Sequence, residues 1–187
     1  MTCVVAYIDK NRNIHMSADS NGSNVSYHTK IELATSKIFK RDNMLFGFTT
    51  SFRMGQLLEH IIVFPEREEG LSDYEYLIKQ FIPVVRKAFL DEGYMLSTEK
   101  SGGNFVIGWN GRLYNVESDF SVFMLTNDYV SIGSGSDIAH GAIEALILYG
   151  IIDVENIQQK VMEVIIRIVS KLNITVSGRV DYINNIP

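Results

Sequence analysis

Hydrophobic and polar positions alternate in blocks whose lengths separate strands from helices. Thr2 to Ile8 (TCVVAYI) is uncharged, β-branched and apolar, which predicts a short strand buried on both faces. Asp9 to Asn13 is a polar turn, and Ile14 to Ala18 (IHMSA) is the return strand. Asp19 to Gly22 (DSNG) carries the side chains that bond their own backbone and a glycine, so it predicts a turn. Val25 to Leu33 reads as extended and irregular. Lys37 to Phe39 and Met44 to Thr49 read as a second hairpin around Arg41-Asp42-Asn43.

The period then changes. From Ser51 to Val63, the residues Phe52, Leu57, Leu58, Ile61 and Ile62 fall on one broad helical face. Ser72 with Glu75 three residues on is a capping-box signature. The helix it opens is expected to reach about Tyr94, with Pro83 as a kink. Phe81, Val84, Val85 and Phe89 are its core positions. Glu66 to Glu69, a charged stretch, is a solvated connection between the helices.

Asn104 to Trp109, Asn110-Gly111, and Arg112 to Glu117 read as a β-hairpin, because Asn-Gly supplies the two positive φ angles of a type I′ turn. Trp109 caps that hairpin. Phe120 to Leu125 and Tyr129 to Ile132 are further strand. Gly133 to Ser136 is a tight entry, with Ser136 as N-cap, to a helix from about Asp137 to Tyr149. Another helix runs from Val154 or Glu155 to Lys171. Ile174 to Val176 and Val180 to Ile183 predict a last strand pair. Strands and helices come in groups rather than in single alternation, which disfavours a doubly wound parallel sheet. The order fits an α+β fold in which two antiparallel sheets stack with helix pairs outside, a four-layer α-β-β-α sandwich.

The 187 residues suit a single domain spanning 1–187. A net charge of −5 gives no basic excess for nucleic acid or an anionic membrane. The apolar stretch from Ile138 to Val154 is interrupted by His140, Glu144 and Asp153 and is too short to span a bilayer, and no signal peptide is read, so the expected location is cytoplasmic. One cysteine, Cys3, excludes a disulfide framework and is expected to be a buried, inert thiol. His15, His28, His60 and His140 lack ligand spacing, so neither a metal nor another cofactor is implied. G-x-S-x-G is absent, and G-x-G-x-x-G fails at Ile138.

Thr2 follows the initiator Met, whose removal would leave a threonine with a free α-amine. Such an amine titrates near neutrality and sits one carbon from the hydroxyl, so it can serve as that hydroxyl's base. In isolation Thr2 reads as a strand residue, Asp19 as a turn residue and Lys37 as a strand-edge charge. In order, however, TCVVA at the start, SADS at 17–20, SKIF at 36–39, LFGFTTS at 45–51 and IGSGS at 132–136 are spaced over nearly the whole chain in a way that resembles the proteasome β-subunit and HslV family of N-terminal-nucleophile hydrolases.

That resemblance implies a threonine-type peptidase acting on peptides or unfolded proteins, a homo-oligomeric ring, and an ATPase that feeds it. It places the nucleophile at Thr2, the supporting acid at Asp19, the neighbouring ammonium at Lys37, the serine beside the terminal amine at Ser134, and the oxyanion N–H at Thr50. Two positions depart from the family pattern. Thr50 stands where a glycine is usual, and its Cβ would narrow the approach of a peptide and oppose positive φ. Asn173 or Ile174 stands where an acidic residue is usual, so the charge there is lost. The same fold could also serve a catalytically silent assembly or scaffold subunit, or a small-molecule amidase.

Overall fold

A computed structural model describes residues 2–24, 29–95, 103–152, 154 and 157–186. Met1, His28, the rest of 25–28, and the expected helix start at 155 lie outside the described residues. Strand β1 (Cys3–Ile8) pairs antiparallel with β2 (Ile14–Asp19) on one side and with β10 (Tyr129–Gly133) on the other. With β11 (Val180–Asn184) on β2, these form a four-stranded sheet of order β10-β1-β2-β11. The second sheet has order β5-β6-β7-β8-β9: β5 (Ile38–Arg41), β6 (Met44–Phe48), β7 (Phe105–Trp109), β8 (Arg112–Val116) and β9 (Val122–Met124). A separate ribbon pairs β3 (Asn21–Asn24) with β4 (Thr29–Glu32).

Period-two alternation along the strands sorts the apolar side chains into three cores. Val4, Ala6 and Ile8 of β1 face Ile38, Leu45, Val106 and Leu113 of the other sheet. Cys3, Val5 and Tyr7 point the other way, onto α4 (Ser136–Leu148) and α5 (Gln158–Leu172), where Ala139, Ile143, Met162, Ile165 and Val169 cover them. Phe46, Phe48, Phe105 and Ile107 lie on the outer face of the second sheet, under Leu57, Leu58, Phe81, Val85 and Phe89. Each fully buried side chain of this size contributes roughly 1.5–3 kcal/mol. The layers are therefore helix, sheet, sheet, helix, as the grouping of elements predicts. Gly47 sits where the sheets approach most closely: a Cβ there would lie 2.5 Å from Val4 Cγ1 and 2.9 Å from Met16 Sδ.

The helices over the second sheet are α1 (Phe52–Gln56), running into a π-helical turn at Leu57–Ile61, and the stretch α2 (Asp73–Tyr76), a second π turn at Leu77–Phe81, and α3 (Ile82–Asp91). The expected capping box is present, with Ser72 Oγ accepting from Glu75 N and the Glu75 carboxylate accepting from Ser72 N. Pro83, lacking an N–H, falls just past the wide π turn, where the chain continues as helix to Asp91 and stops short of Tyr94. Asn110 (φ 48) and Gly111 (φ 67) make the expected hairpin turn.

Three local expectations are corrected. Asp19 to Gly22 is not a turn: Asp19 ends β2, and Asn21 starts β3 after the single residue Ser20, whose N–H donates to Arg179 O. Ile174 to Val176 is not a strand, because the Asn173 side chain accepts from Thr175 N–H and closes a turn. Ser136 is the first helical residue rather than the cap; Gly135 holds the cap position without a side-chain bond.

Candidate active site

The order of the four-stranded sheet brings distant segments to one edge. Because β1 lies between β10 and β2, with Cys3 opposite Gly133 and Val4 opposite Ala18, residue 2 sits beside the end of β10 and the end of β2. Asp19 is fully buried and takes three donors. Cys3 N–H reaches Oδ1 at 2.9 Å, Lys37 Nζ reaches the same Oδ1 at 3.0 Å, and Asn21 N–H reaches Oδ2 at 3.2 Å. Lys37 enters from just before β5 in the other sheet and spans the gap between sheets. Its ammonium also donates to Asn21 O at 2.7 Å, and its carbonyl accepts from Phe48 N–H. At 1% exposure it is a buried charge held by its counter-ion, not a strand-edge solvent lysine. Burial pushes the Lys37 ammonium below its ordinary pKa, and the Asp19 carboxylate opposes that shift only in part.

Thr2 itself is buried, and its carbonyl accepts from Gly135 N–H at 3.4 Å. Ser134 Oγ stands 3.3 Å from that same oxygen. Gly133 is what allows this proximity. It adopts φ +97, and a Cβ there would lie 2.2 Å from Thr2 O. Cys3 next door is fully buried, and burial, then the Asp19 charge, push its thiol up to about 12. It therefore stays a protonated thiol, in keeping with the inert role expected of it.

Thr50 follows β6 in the turn Thr49–Ser51. It adopts φ 72 despite its β-branch, against the expectation that its side chain would oppose positive φ. Such a residue costs about 1–3 kcal/mol and persists only where the surroundings impose it. Here the flanking N–H groups impose it: Thr49 N–H donates to Asn104 O and Ser51 N–H to Thr49 O. The N–H of Thr50 has no acceptor among the described residues, and Thr50 is exposed. A cavity of about 430 Å³ opens alongside, between Thr35-Ser36 and α1, walled by Leu33, Phe48 and Phe52 with Gln56 and Glu59 at its polar side.

The structure thus gathers Thr2, Asp19, Lys37 and Ser134 at the same end of β1, with the Thr50 turn tied to Lys37 through Phe48. Asn173 also lies here, donating from Nδ2 to Ser134 O at 2.6 Å, whereas Ile174 points to solvent. Two participants escape the sequence reading. Thr175 Oγ1 lies 2.8 Å from Ser134 Oγ, and Asn21 Nδ2 donates to Thr175 O at 3.1 Å. The Asn-x-Thr spacing at 173–175 is an Asx-turn signal that could have marked the first.

Outside this edge, His15 is buried rather than a ligand. Its ring nitrogens contact Tyr182 Oη at 2.7 Å and Asp9 Oδ2 at 3.2 Å. Among the described residues no group of three or more metal-ligating side chains converges, and no helix is long and apolar enough to cross a membrane.

No protein-family model matches the sequence, and no curated protein matches it. Solved structures do match in fold. Thiobacillus denitrificans BPH in complex with epoxomicin superposes with TM-score 0.79 at 18% identity, over 98% of this chain and 97% of that one. HslV from Trypanosoma brucei gives 0.66 at 14% identity, over 98% of both chains. Anbu, described as an ancestral β-subunit, from Yersinia bercovieri gives 0.70 at 15% identity, over 98% of this chain and 81% of that one. The chain has the fold of these proteasome-like proteins, and the resemblance carried by the ordered sequence motifs is met at that level.

Proposed function

We propose that the chain is a threonine-type peptidase subunit whose nucleophile is Thr2, exposed by removal of Met1. The observation that carries this reading is the shared Asp19 oxygen. One carboxylate atom takes both the N–H of the residue after Thr2 and the buried Lys37 ammonium, so a fixed positive charge is held, itself out of contact with solvent, beside the chain's start.

The chemistry follows from that placement. A nearby ammonium disfavours protonation of the freed α-amine and favours a developing Oγ anion. The amine, directly or through water, takes the Oγ proton as Oγ attacks a peptide carbonyl. The carbonyl oxygen becomes an oxyanion, which the Thr50 N–H, without an acceptor among the described residues, can meet. Collapse breaks the C–N bond, and the proton passes to the leaving amine. Water then attacks the ester on Thr2, giving up a proton to the amine; collapse breaks the C–Oγ bond, that proton returns to Oγ, and the acid is released. The cavity walled by Leu33, Phe48 and Phe52 suits an apolar side chain of the substrate. A homo-oligomeric ring with an ATPase unfoldase belongs to this reading.

The test combines intact mass with turnover. The purified protein should lack Met1 and cleave fluorogenic peptides, and Thr2→Ala should abolish cleavage without unfolding the chain. Retained Met1, or undiminished cleavage by Thr2→Ala, removes Thr2 as nucleophile. A catalytically silent assembly subunit is the second reading. The uncharged Asn173 at the expected acidic position favours it, and it predicts no turnover together with intact assembly.

A further inference from the structure

The hairpin end of β7 and β8 carries a second cleft. Phe105 pairs with Phe48 beside the Thr50 turn, whereas Trp109 pairs with Arg112 at the other end of the same strands, so the two places are separate. The cleft measures about 440 Å³ and lies between the start of α2 and strands β8 and β9. Tyr114 forms part of its wall. This side chain is fully buried, and its hydroxyl has no hydrogen-bond partner among the described residues. Native proteins leave few buried polar atoms in that state, because each keeps its desolvation cost. Burial first, and then the Asp73 charge, push the phenol above its ordinary 10.0, so it stays a protonated O–H donor.

The charges around that hydroxyl do not cancel. Arg67 is committed to Asp73, with Nη1 donating to Oδ1 at 2.5 Å, and Asn110 Nδ2 donates to the other oxygen at 3.1 Å. Arg112 stands two residues before Tyr114 on the same face of β8. It is exposed, and its Nη1 meets Met124 Sδ at 3.2 Å, a weak acceptor; no carboxylate pairs with it among the described residues. Met124, directly opposite Tyr114 in the β8–β9 register, is 45% exposed, so a ligand reaches the hydroxyl as the flexible Met124 and Arg112 side chains part. Met124 and the half-exposed ring of Tyr74 also give the cleft apolar surface.

We propose that this cleft binds a small organic carboxylate with an apolar body, one carboxylate oxygen accepting from Tyr114 Oη and the other from the Arg112 guanidinium. The site stands apart from the peptidase reading and does not depend on it. A planar carboxylate matches the fork of Arg112 and leaves an oxygen for the phenol. One negative charge balances the one uncompensated arginine. A phosphate dianion would set a surplus charge against Asp73.

The experiment titrates the full-length protein, 13C-labelled at tyrosine Cζ, with sodium hexanoate, and in parallel with hexanamide and with inorganic phosphate. The Tyr114 resonance is identified by its loss in Tyr114→Phe. Hexanoate should shift it with a Kd of about 1 mM, while hexanamide and phosphate should bind at least about tenfold more weakly. Arg112→Met and Tyr114→Phe, followed by calorimetry, should each weaken hexanoate about tenfold, and Arg112→Lys by less. Without hexanoate, Tyr114→Phe should melt at the wild-type temperature or above it, because the hydroxyl it loses has no protein partner. A Tyr114 resonance that hexanoate leaves unmoved to about 20 mM overturns the proposal and leaves water as the partner of the phenol. Equal response to hexanamide or to phosphate overturns the carboxylate assignment. Unchanged hexanoate affinity in Arg112→Met and Tyr114→Phe places the binding elsewhere and overturns the site, and a markedly lower melting temperature for Tyr114→Phe overturns the unpartnered hydroxyl on which it rests.

Discussion

Replacing Lys37 by Met keeps the length of the side chain and deletes its charge, leaving Asp19 fully buried without its counter-ion. Breaking a buried pair in this way typically costs about 3–5 kcal/mol. Asp19 would keep two backbone donors, from Cys3 and Asn21, so the lower end, about 3 kcal/mol, is expected. For a domain of this size that is a fall in melting temperature of roughly 6–12 °C. Urea unfolding at pH 7, followed by circular dichroism, measures it. The double variant Lys37→Met/Asp19→Asn should recover most of the loss, because no unpaired charge remains. The sign with pH is also set. Burial lowers the Lys37 pKa in the folded state, so below that pKa the folded protein carries the cost of a buried ammonium that the unfolded chain does not. Wild type should therefore gain on Lys37→Met as pH rises through the folded-state pKa, and stop gaining at the ordinary lysine value of 10.5. A Lys37→Met protein within about 1 kcal/mol of wild type would refute the closed, charge-paired site, since that is the range of exposed pairs.

Other substitutions probe the surrounding backbone and the far end of β1. Thr50→Gly removes the strain of φ 72 and should leave stability unchanged or raise it by up to about 1 kcal/mol in thermal unfolding. Gly133→Ala places a Cβ 2.2 Å from Thr2 O and should destabilise by about 3 kcal/mol or more in denaturant unfolding while abolishing peptide cleavage. At Asp9, burial pushes the carboxyl up, but hydrogen bonds from Asn13, His15 and the Asn11 N–H outweigh it and hold the pKa below the ordinary 3.8. Its contribution is complete above 3.8 and is lost as pH falls through the folded-state value, so Asp9→Asn should flatten the acid limb of a stability-against-pH curve.

The layers were legible because each rests on local periodicity. β1 alternates between two apolar cores, Asn110-Gly111 demands its turn, and Ser72 with Glu75 closes its cap. One error falls where polar side chains are paired across long sequence separations. Asp19, Ser20 and Asn21 have turn composition, yet they are buried, because Lys37, Cys3 N–H and Arg179 O supply partners that the local sequence does not show. Ile174 to Val176 looks like strand by composition, but the bonds from Thr175 to Asn173 override it. At Thr50 the tertiary setting imposes a backbone angle that its own side chain resists. Asp19, Lys37 and Ser134 could be placed near Thr2 only through the ordered family-like spacing. Thr175, outside that pattern, was found only from the geometry.

The central claim is that the Thr2 hydroxyl, with a free amine beside it, is the group that attacks a carbonyl. Incubating the wild-type protein with a peptidyl β-lactone and sequencing its N-terminal peptide by tandem mass spectrometry tests this at the atom concerned. The expected result is a chain that begins at Thr2 and carries the acyl group on that residue, with no label on Lys37→Met. A chain beginning at Met1, or an acyl group on Ser134 or Cys3 instead, contradicts the account.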